Sequence, residues 1–411
     1  MEFTWQKEKG SNLGFKIILF IVSPFFSFLY SLGSLKTKSS YVVMFLFFLF
    51  FGLCFTVGTD RDEQSNDAVS YRQQFERYLV WDQVEFEARV YEYVTFSGNE
   101  GNKDLFFTTL AFGVSRFTDN YHILFLFCAA IFGFFTLRSL RYLTLNNYFR
   151  TSLLCFLLFL LFTFNQIYNI NGVRFWTAAW VGVYCVFRIV VDKNFRYFFL
   201  LVFTPLIHVS FFLFVAVFLL CYFTRSLTRI WMALLFLSFV FSSLTADALD
   251  GISDYLPPVL AHMVDSYSSE SALAAREEYY EGISWYGQIL QFLQRAYPNL
   301  LLIVLLAKGD KNKDSRNKDL LRFSVAYLTC VNFFMPIPSL GSRYILLSYP
   351  MLAYLWLTCI KDNTLHAWIY LMPLFLFRGF YVMFINNYPR VVPAELLYMN
   401  PLSLLMKYTM L

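Results

Sequence analysis

The chain has 411 residues, of which 58% are hydrophobic and 15% are charged, and its formal net charge is +5. Soluble globular domains carry about 25% charged residues, so this composition excludes an ordinary soluble domain and favours a membrane protein. A net charge this small does not indicate nucleic-acid binding, and we expect no nucleic-acid partner. The cysteines all fall in apolar runs without metal-ligand spacing, so we predict no metal site and no cofactor.

Apolar runs that approach the length of a membrane span, about 20 residues, recur along the whole chain. They lie at 14–33, 41–58, 120–140, 151–168, 172–191, 197–224, 229–246, 292–307, 320–340, 344–360 and 366–386. This pattern predicts an all-α polytopic integral membrane protein, a multi-helix bundle of about 10–13 transmembrane segments. Because no polar stretch is long enough to fold alone, residues 1–411 are predicted to form a single transmembrane domain.

Two of these runs depart from a simple span. The run 197–224 is too long for one upright helix and too short for two, and Pro205 and His208 interrupt it. We expect a hairpin of short helices whose irregular backbone lines a cavity rather than lipid. The run 14–33 contains Ser23 and Pro24, and it is open whether it spans the membrane, re-enters it or lies in the interface.

The charge distribution predicts an orientation. Basic clusters at 138–150, 188–196, 225–229 and 308–318 favour the cytoplasmic side. The acidic stretches 59–104 and 247–291 then form outer (periplasmic) loops, whose short helices cap the membrane face. The lysines at 7–9 and 36–38 both favour the cytoplasm, which is why a single span over 14–33 conflicts with this scheme.

Three polar residues are predicted at the outer ends of apolar helices. Arg174 opens a helix after Gly172, His208 lies at the break in 197–224, and Arg343 follows Gly341. Each residue alone also has a purely structural explanation. The arginines would extend their charges to the membrane interface, and the histidine would be a hydrogen-bonded core residue. Together, at one depth, they predict an outward cavity for an anionic ligand, since a guanidinium binds phosphate oxygens bidentately and stays charged.

The first outer loop holds further candidates. Asp67, Tyr71 and Phe75 are spaced four residues apart, which places them on one helical face, and Asp60 precedes them. We take Asp60, Asp67 and Tyr71 as candidate substrate-binding residues, with a solvated helix face as the alternative. The chain contains no phosphate-binding P-loop, no Ser-His-Asp spacing and no zinc spacing.

In order and spacing, several segments resemble the EpsG-like and Wzy-type bacterial polysaccharide polymerases. They are 57–60 with Asp67, Tyr71 and Phe75, then 103–107, 120–125, 172–178, 205–210 and 342–344. The chain departs from many such proteins at Phe175-Trp176, where they carry Gln-Gly or a similar pair. The segment before residue 40 looks like an addition.

The resemblance implies a fold similar to C-type glycosyltransferases and O-antigen ligases. It implies an enzyme that joins undecaprenyl-diphosphate-linked oligosaccharides at the outer face of the bacterial cytoplasmic membrane. Arg174 and Arg343 would then bind diphosphate without a metal, and His208 would accept the acceptor hydroxyl proton or orient the donor. The expected partners are the lipid-linked oligosaccharides, the bilayer, and a chain-length regulator and flippase of the same pathway.

Three alternative functions stay open. A lipid-linked oligosaccharide flippase would also bind diphosphate with arginine, although no repeated halves are visible in this chain. An O-antigen ligase would share the architecture, but its large outer loop carries basic residues, whereas 247–291 is mainly acidic. A non-enzymatic membrane protein is the third alternative.

Overall fold

The computed structural model describes residues 5–58, 67–95, 105–145, 150–241, 284–309, 315–335, 340–361 and 392–410, with a few single positions between them. Within these ranges, every regular element is a helix. The all-α prediction is therefore confirmed for this part of the chain. Asp60, nearly all of the loop 247–291 and nearly all of the run 366–386 lie outside the described residues.

The helices follow one another in three groups. The first group is α1 (Gly10–Val22), α2 (Pro24–Ser31), α3 (Lys38–Leu53), α4 (Asp67–Tyr78), α5 (Gln83–Val94) and α6 (Phe106–Ser115). The second is α7 (Tyr121–Thr144), α8 (Arg150–Phe159), α9 (Val173–Val186), α10 (Tyr197–Val202), α11 (Thr204–Ile207), α12 (Phe211–Thr224) and α13 (Thr228–Phe241). The third is α14 (Trp285–Lys308), α15 (Ser315–Phe333), α16 (Leu340–Cys359), α17 (Glu395–Tyr398) and α18 (Pro401–Thr409).

Among the described residues, two helical segments are long and apolar enough to cross a membrane, Tyr121–Thr144 and Ile167–Val191. The second is continuous but irregular, because a 3₁₀ turn (Ile167–Gly172) leads into α9 and a π turn (Phe187–Val191) ends it. Other apolar helices in the described chain run 10–17 residues. These are shorter than the roughly 20 residues of an upright span.

The bundle is built around the contact of α3 with α7, and α7 packs in turn against α9. A methyl group at Gly52 would lie 2.5 Å from the Phe125 carbonyl oxygen and 2.5 Å from Ala129 Cβ. Glycine therefore lets α3 and α7 approach closely, as is common between helices in membranes. On the other side, α15 packs against both α13 and α16.

The run 14–33 forms a helical hairpin. Ser23 is extended between α1 and α2, and its hydroxyl accepts a hydrogen bond from Phe26 N at 3.4 Å. The two ends of the hairpin lie together, since Gln6 N donates to Lys36 O at 2.9 Å. The segment is therefore not one continuous helix, and its two ends lie on the same side of the hairpin.

The run 197–224 is broken where it was predicted to be. After α10 and α11, residues 208–210 leave the helical path before α12 begins. Lys193, before the break, and Arg225, after it, both form ion pairs with Asp319 of α15, the second at 4.0 Å. The two basic ends therefore lie together, as the hairpin prediction requires.

Residues at the end of α5 and the start of α6 contact this break. Tyr93 Oη donates to Pro205 O at 2.9 Å, and Leu105 N donates to Leu206 O at 3.0 Å. Carbonyl groups that leave a helix need other partners, and these two donors supply them. Helix α5 and the start of α6 therefore pack against the broken hairpin.

Candidate functional site

The site forms around the first turn of α9. The 3₁₀ turn before it ends at Gly172, where α4 approaches closely. A methyl group at Gly172 would lie 3.1 Å from Trp176 Cδ1 and 3.7 Å from Asp67 Oδ2. Ala68 N also donates to Asn171 Oδ1 at 3.2 Å. The N-terminus of α4 is thereby held against the N-terminus of α9.

Arg174 extends from this turn toward α4. Its Nε donates to Tyr71 Oη at 3.0 Å, and its Cζ lies 5.1 Å from the centroid of the Tyr71 ring. Tyr71 is only 2% exposed and packs against Phe107 at 4.6 Å between centroids. Because the tyrosine is buried and rigid, it holds the guanidinium, which is itself half-buried, in one place.

His208 lies in the turn between α11 and α12. Ser210 Oγ is 2.7 Å from Nδ1, and the Ser210 backbone N–H donates to the same nitrogen at 3.3 Å. A backbone N–H can only donate, so Nδ1 carries a lone pair and the neutral ring bears its proton on Nε2. In this tautomer the imidazole is a hydrogen-bond donor through Nε2.

Arg343 lies in the first turn of α16, and its Cζ is 5.2 Å from the centroid of the Phe175 ring. The His208 ring meets the same phenyl ring edge-on, with centroids 5.3 Å apart and planes at 87°. Tyr344 Oη donates to Ser210 O at 2.6 Å, which ties α16 to the His208 turn. The structure thus brings His208 and Arg343 together on the Phe175 ring, and Arg174 precedes Phe175 in the same turn of α9. All three polar residues are half-buried.

The loop candidates have separate outcomes. Asp67, Tyr71 and Phe75 share α4 as predicted, with Tyr71 and Phe75 buried and Asp67 exposed beside Gly172. Asp60 lies outside the described residues. In the part of the chain that the structure describes, no three His, Cys, Asp or Glu side chains form a group that could hold a metal ion.

Two residues at this site were not singled out from the sequence. Phe175 had been noted only as a departure from related proteins, and Ser210 only as the end of the segment 205–210. The signal for Ser210 was its position two residues after His208, a spacing that favours a local side-chain-to-backbone hydrogen bond. No local signal existed for Phe175, because its contacts come from distant segments.

The site offers two guanidinium groups and an imidazole N–H at neighbouring helix ends, and aromatic rings surround them. Such a set of donors can bind a polyanionic group. In the described residues, the fold is all-helical, with two helices long and apolar enough to cross a membrane, and the site is lined by arginine and histidine. The model of the EpsG family matches residues 43–396, and the chain belongs to this family. The resemblance is confirmed, and membership indicates a glycosyltransferase-like polymerase of polysaccharide biosynthesis. No curated protein and no solved structure matches the chain.

Proposed function

We propose that this protein joins undecaprenyl-diphosphate-linked oligosaccharide units into a surface polysaccharide. The reaction takes place at the outer face of the bacterial cytoplasmic (inner) membrane, which the chain crosses many times. The observation that carries the proposal is the convergence of His208 and Arg343 on the Phe175 ring, which neighbours Arg174 in the first turn of α9. These residues come from three separate helix ends, and a single anionic ligand explains why they share one layer.

In this reaction a hydroxyl of the acceptor sugar attacks the anomeric carbon of the donor. The bond from that carbon to the diphosphate oxygen breaks, the new glycosidic bond forms, undecaprenyl diphosphate leaves, and the hydroxyl proton passes to water. The transition state is oxocarbenium-like, and negative charge grows on the departing diphosphate. Groups fixed where that charge grows stabilise the transition state more than the ground state.

Arg174 and Arg343 are suited to bind the diphosphate. The Nε of Arg174 is engaged by Tyr71, which orients the plane of the guanidinium. Arg343 rests on an aromatic ring, which fixes a cation without neutralising it. Two such cations supply the charge stabilisation for which other transferases use a divalent ion, so the proposed reaction is metal-independent.

His208 serves the donor end of the reaction. The Ser210 N–H bond to Nδ1 supports the Nε2–H tautomer, which donates a hydrogen bond to an anionic oxygen. Of the two roles open from the sequence, orienting the donor is therefore favoured over accepting the hydroxyl proton. In this proposal Asp67, which is exposed beside Gly172, contacts the glycan, and Asp60 belongs to the same substrate-binding group.

The apolar helices of the bundle would surround the polyprenyl tail in the bilayer. A flippase that delivers the lipid-linked units and a chain-length regulator are the partners that this activity requires. The reaction needs no cofactor, since the donor carries its own leaving group.

The test is the length distribution of the surface glycan in a strain that lacks this protein. We expect glycan shortened to a single repeat unit, because units are still made, exported and attached. Re-expression of the wild-type chain should restore the long polymer.

Two other results would assign another function. Loss of all repeat units from the surface, with lipid-linked units accumulating inside, would indicate a flippase. Long polymer that stays on the polyprenyl lipid without reaching its final acceptor would indicate a ligase. Unchanged glycan in the deletion strain would contradict any of the three.

A further inference from the structure

We infer that Phe175 is a positioning residue that holds His208 and Arg343 at the same depth as Arg174. What the three residues do once held rests on the proposed function. The position that Phe175 imposes on them is a separate claim about this chain, and it can be measured separately.

The contacts of the Phe175 ring carry the inference. It is 5% exposed, and it touches side chains from both of the segments that supply the other two polar residues. His208 lies edge-on at 5.3 Å, and Arg343 Cζ lies over the ring at 5.2 Å. The rings of Trp176 at 5.0 Å, Phe211 at 5.3 Å and Tyr344 at 6.2 Å also lie around it.

The geometry of α9 explains why one residue can do this. Successive side chains on a helix point about 100° apart, so neighbours reach different partners at nearly the same height. Arg174 turns toward Tyr71 on α4, while Phe175 turns toward the His208 turn and the start of α16. A single turn of α9 therefore sets the height of all three polar groups.

An aromatic ring provides what an aliphatic side chain of similar size does not. The face of the ring attracts a guanidinium, and its quadrupole favours an edge-on aromatic neighbour. Arginine has a long, flexible side chain, and the ring limits it to few orientations before any ligand arrives. A leucine at 175 would fill much of the space and hold neither partner.

The experiment compares Phe175→Leu with Phe214→Leu. Phe214 is a matched control, since it is a 1% exposed ring whose ring contacts are Phe211, Tyr327 and Tyr344. Both variants lose a buried ring, so their melting temperatures in detergent should fall by similar amounts. Glycan synthesis per folded molecule should fall about ten-fold for Phe175→Leu and less than about two-fold for Phe214→Leu.

A double-mutant cycle shows whether Phe175 acts through Arg343. We expect Phe175→Leu to add little to the loss of glycan caused by Arg343→Gln, because the contact is already gone. In the purified protein, the melting temperature of the double variant should exceed that expected from adding the two single shifts. The corresponding cycle with Phe214→Leu should be additive in both measurements.

The thermal cycle uses no substrate, so it stands even if the proposed function fails. Normal glycan in Arg343→Gln would contradict the proposed function and leave the thermal coupling to decide on Phe175. Additive melting shifts for Phe175 and Arg343 would overturn the positioning role. Equal losses of glycan in Phe175→Leu and Phe214→Leu would overturn it as well.

Discussion

Two regions of this protein hold cationic side chains away from bulk water, and they do so in opposite ways. Lys16 of α1 is 0% exposed, and its Nζ is bonded to Glu8 at 2.5 Å, Ser40 at 2.7 Å, Ser39 at 2.8 Å and Thr37 at 3.0 Å. In the candidate site, Arg174 and Arg343 are half-buried and rest on aromatic rings.

The difference indicates a structural role for the charge in the first region and a ligand-binding role in the second. A lysine surrounded by a carboxylate and three hydroxyls has its charge neutralised and its hydrogen bonds satisfied, so it stabilises the fold. A ring holds a guanidinium in place through its π face and carries no formal negative charge of its own. The first region lies outside the residues matched by the EpsG family, and the second lies inside them. We expect mutations in the two regions to affect stability and activity separately.

The largest effect is expected for Arg174→Lys and Arg343→Lys. Lysine keeps the charge but cannot make two parallel hydrogen bonds to a diphosphate, and loss of one such preorganised donor costs about 10²–10³ in turnover. Glycan chains on gels should shorten sharply while blots show normal protein levels. Arg116→Lys is the control, because Arg116 also lies over a ring, Phe112 at 4.5 Å, but directly after α6 and away from the site. Long ladders from both site variants would leave these arginines as interface anchors.

Lys16→Met should destabilise the protein without changing the activity of the molecules that fold. Removing one partner of a buried ion pair costs about 3 kcal/mol, because Glu8 is left without its counter-charge. The measurement is the melting temperature in detergent, together with glycan length normalised to folded protein. Adding Glu8→Gln should recover part of the loss. A melting temperature equal to that of the wild type would mean that the hydrogen-bonded groups around Lys16 do not stabilise the α1–α2 hairpin.

Two substitutions of His208 should separate its possible roles. Glutamine can place an amide N–H near the position of Nε2, so we expect His208→Gln to retain activity within about ten-fold of wild type. His208→Ala removes the donor, and a lost hydrogen bond to a charged group corresponds to a fall of about ten-fold to 100-fold. Glycan ladders at matched protein levels provide the measurement. Equal, complete loss in both variants would favour a base over a hydrogen-bond donor.

The smallest effect on activity is expected from cysteines introduced to test topology. Lys9→Cys, Lys38→Cys and Lys308→Cys should resist an impermeant thiol reagent in intact spheroplasts, whereas Phe117→Cys, at a 90% exposed position, should react. The first two lie at opposite ends of the α1–α2 hairpin and should behave alike. Labelling of only one of them would contradict the hairpin in the membrane. Labelling of Lys308→Cys would reverse the predicted orientation and place the site on the cytoplasmic side.

The sequence by itself determined the helical class and the positions of its breaks. Apolar runs with few charges can satisfy their backbone only as helices in a membrane, and Ser23 and Pro205 mark points where the helical path changes. The motif order around Arg174, His208 and Arg343 was also sufficient to recognise the family, which the match over 43–396 confirms. All of these features follow from the composition and order of short segments of the chain.

Only the tertiary structure decided how the polar residues meet. Phe175 contacts residues 33 and 168 positions away along the chain, and no periodicity within α9 encodes those partners. The same holds for Lys16, whose burial depends on hydroxyls that follow the hairpin. It also holds for Tyr71, whose hydroxyl engages Arg174 because Gly172 lets α4 approach α9. Such contacts form only when whole helices pack against one another, so no local sequence pattern predicts them.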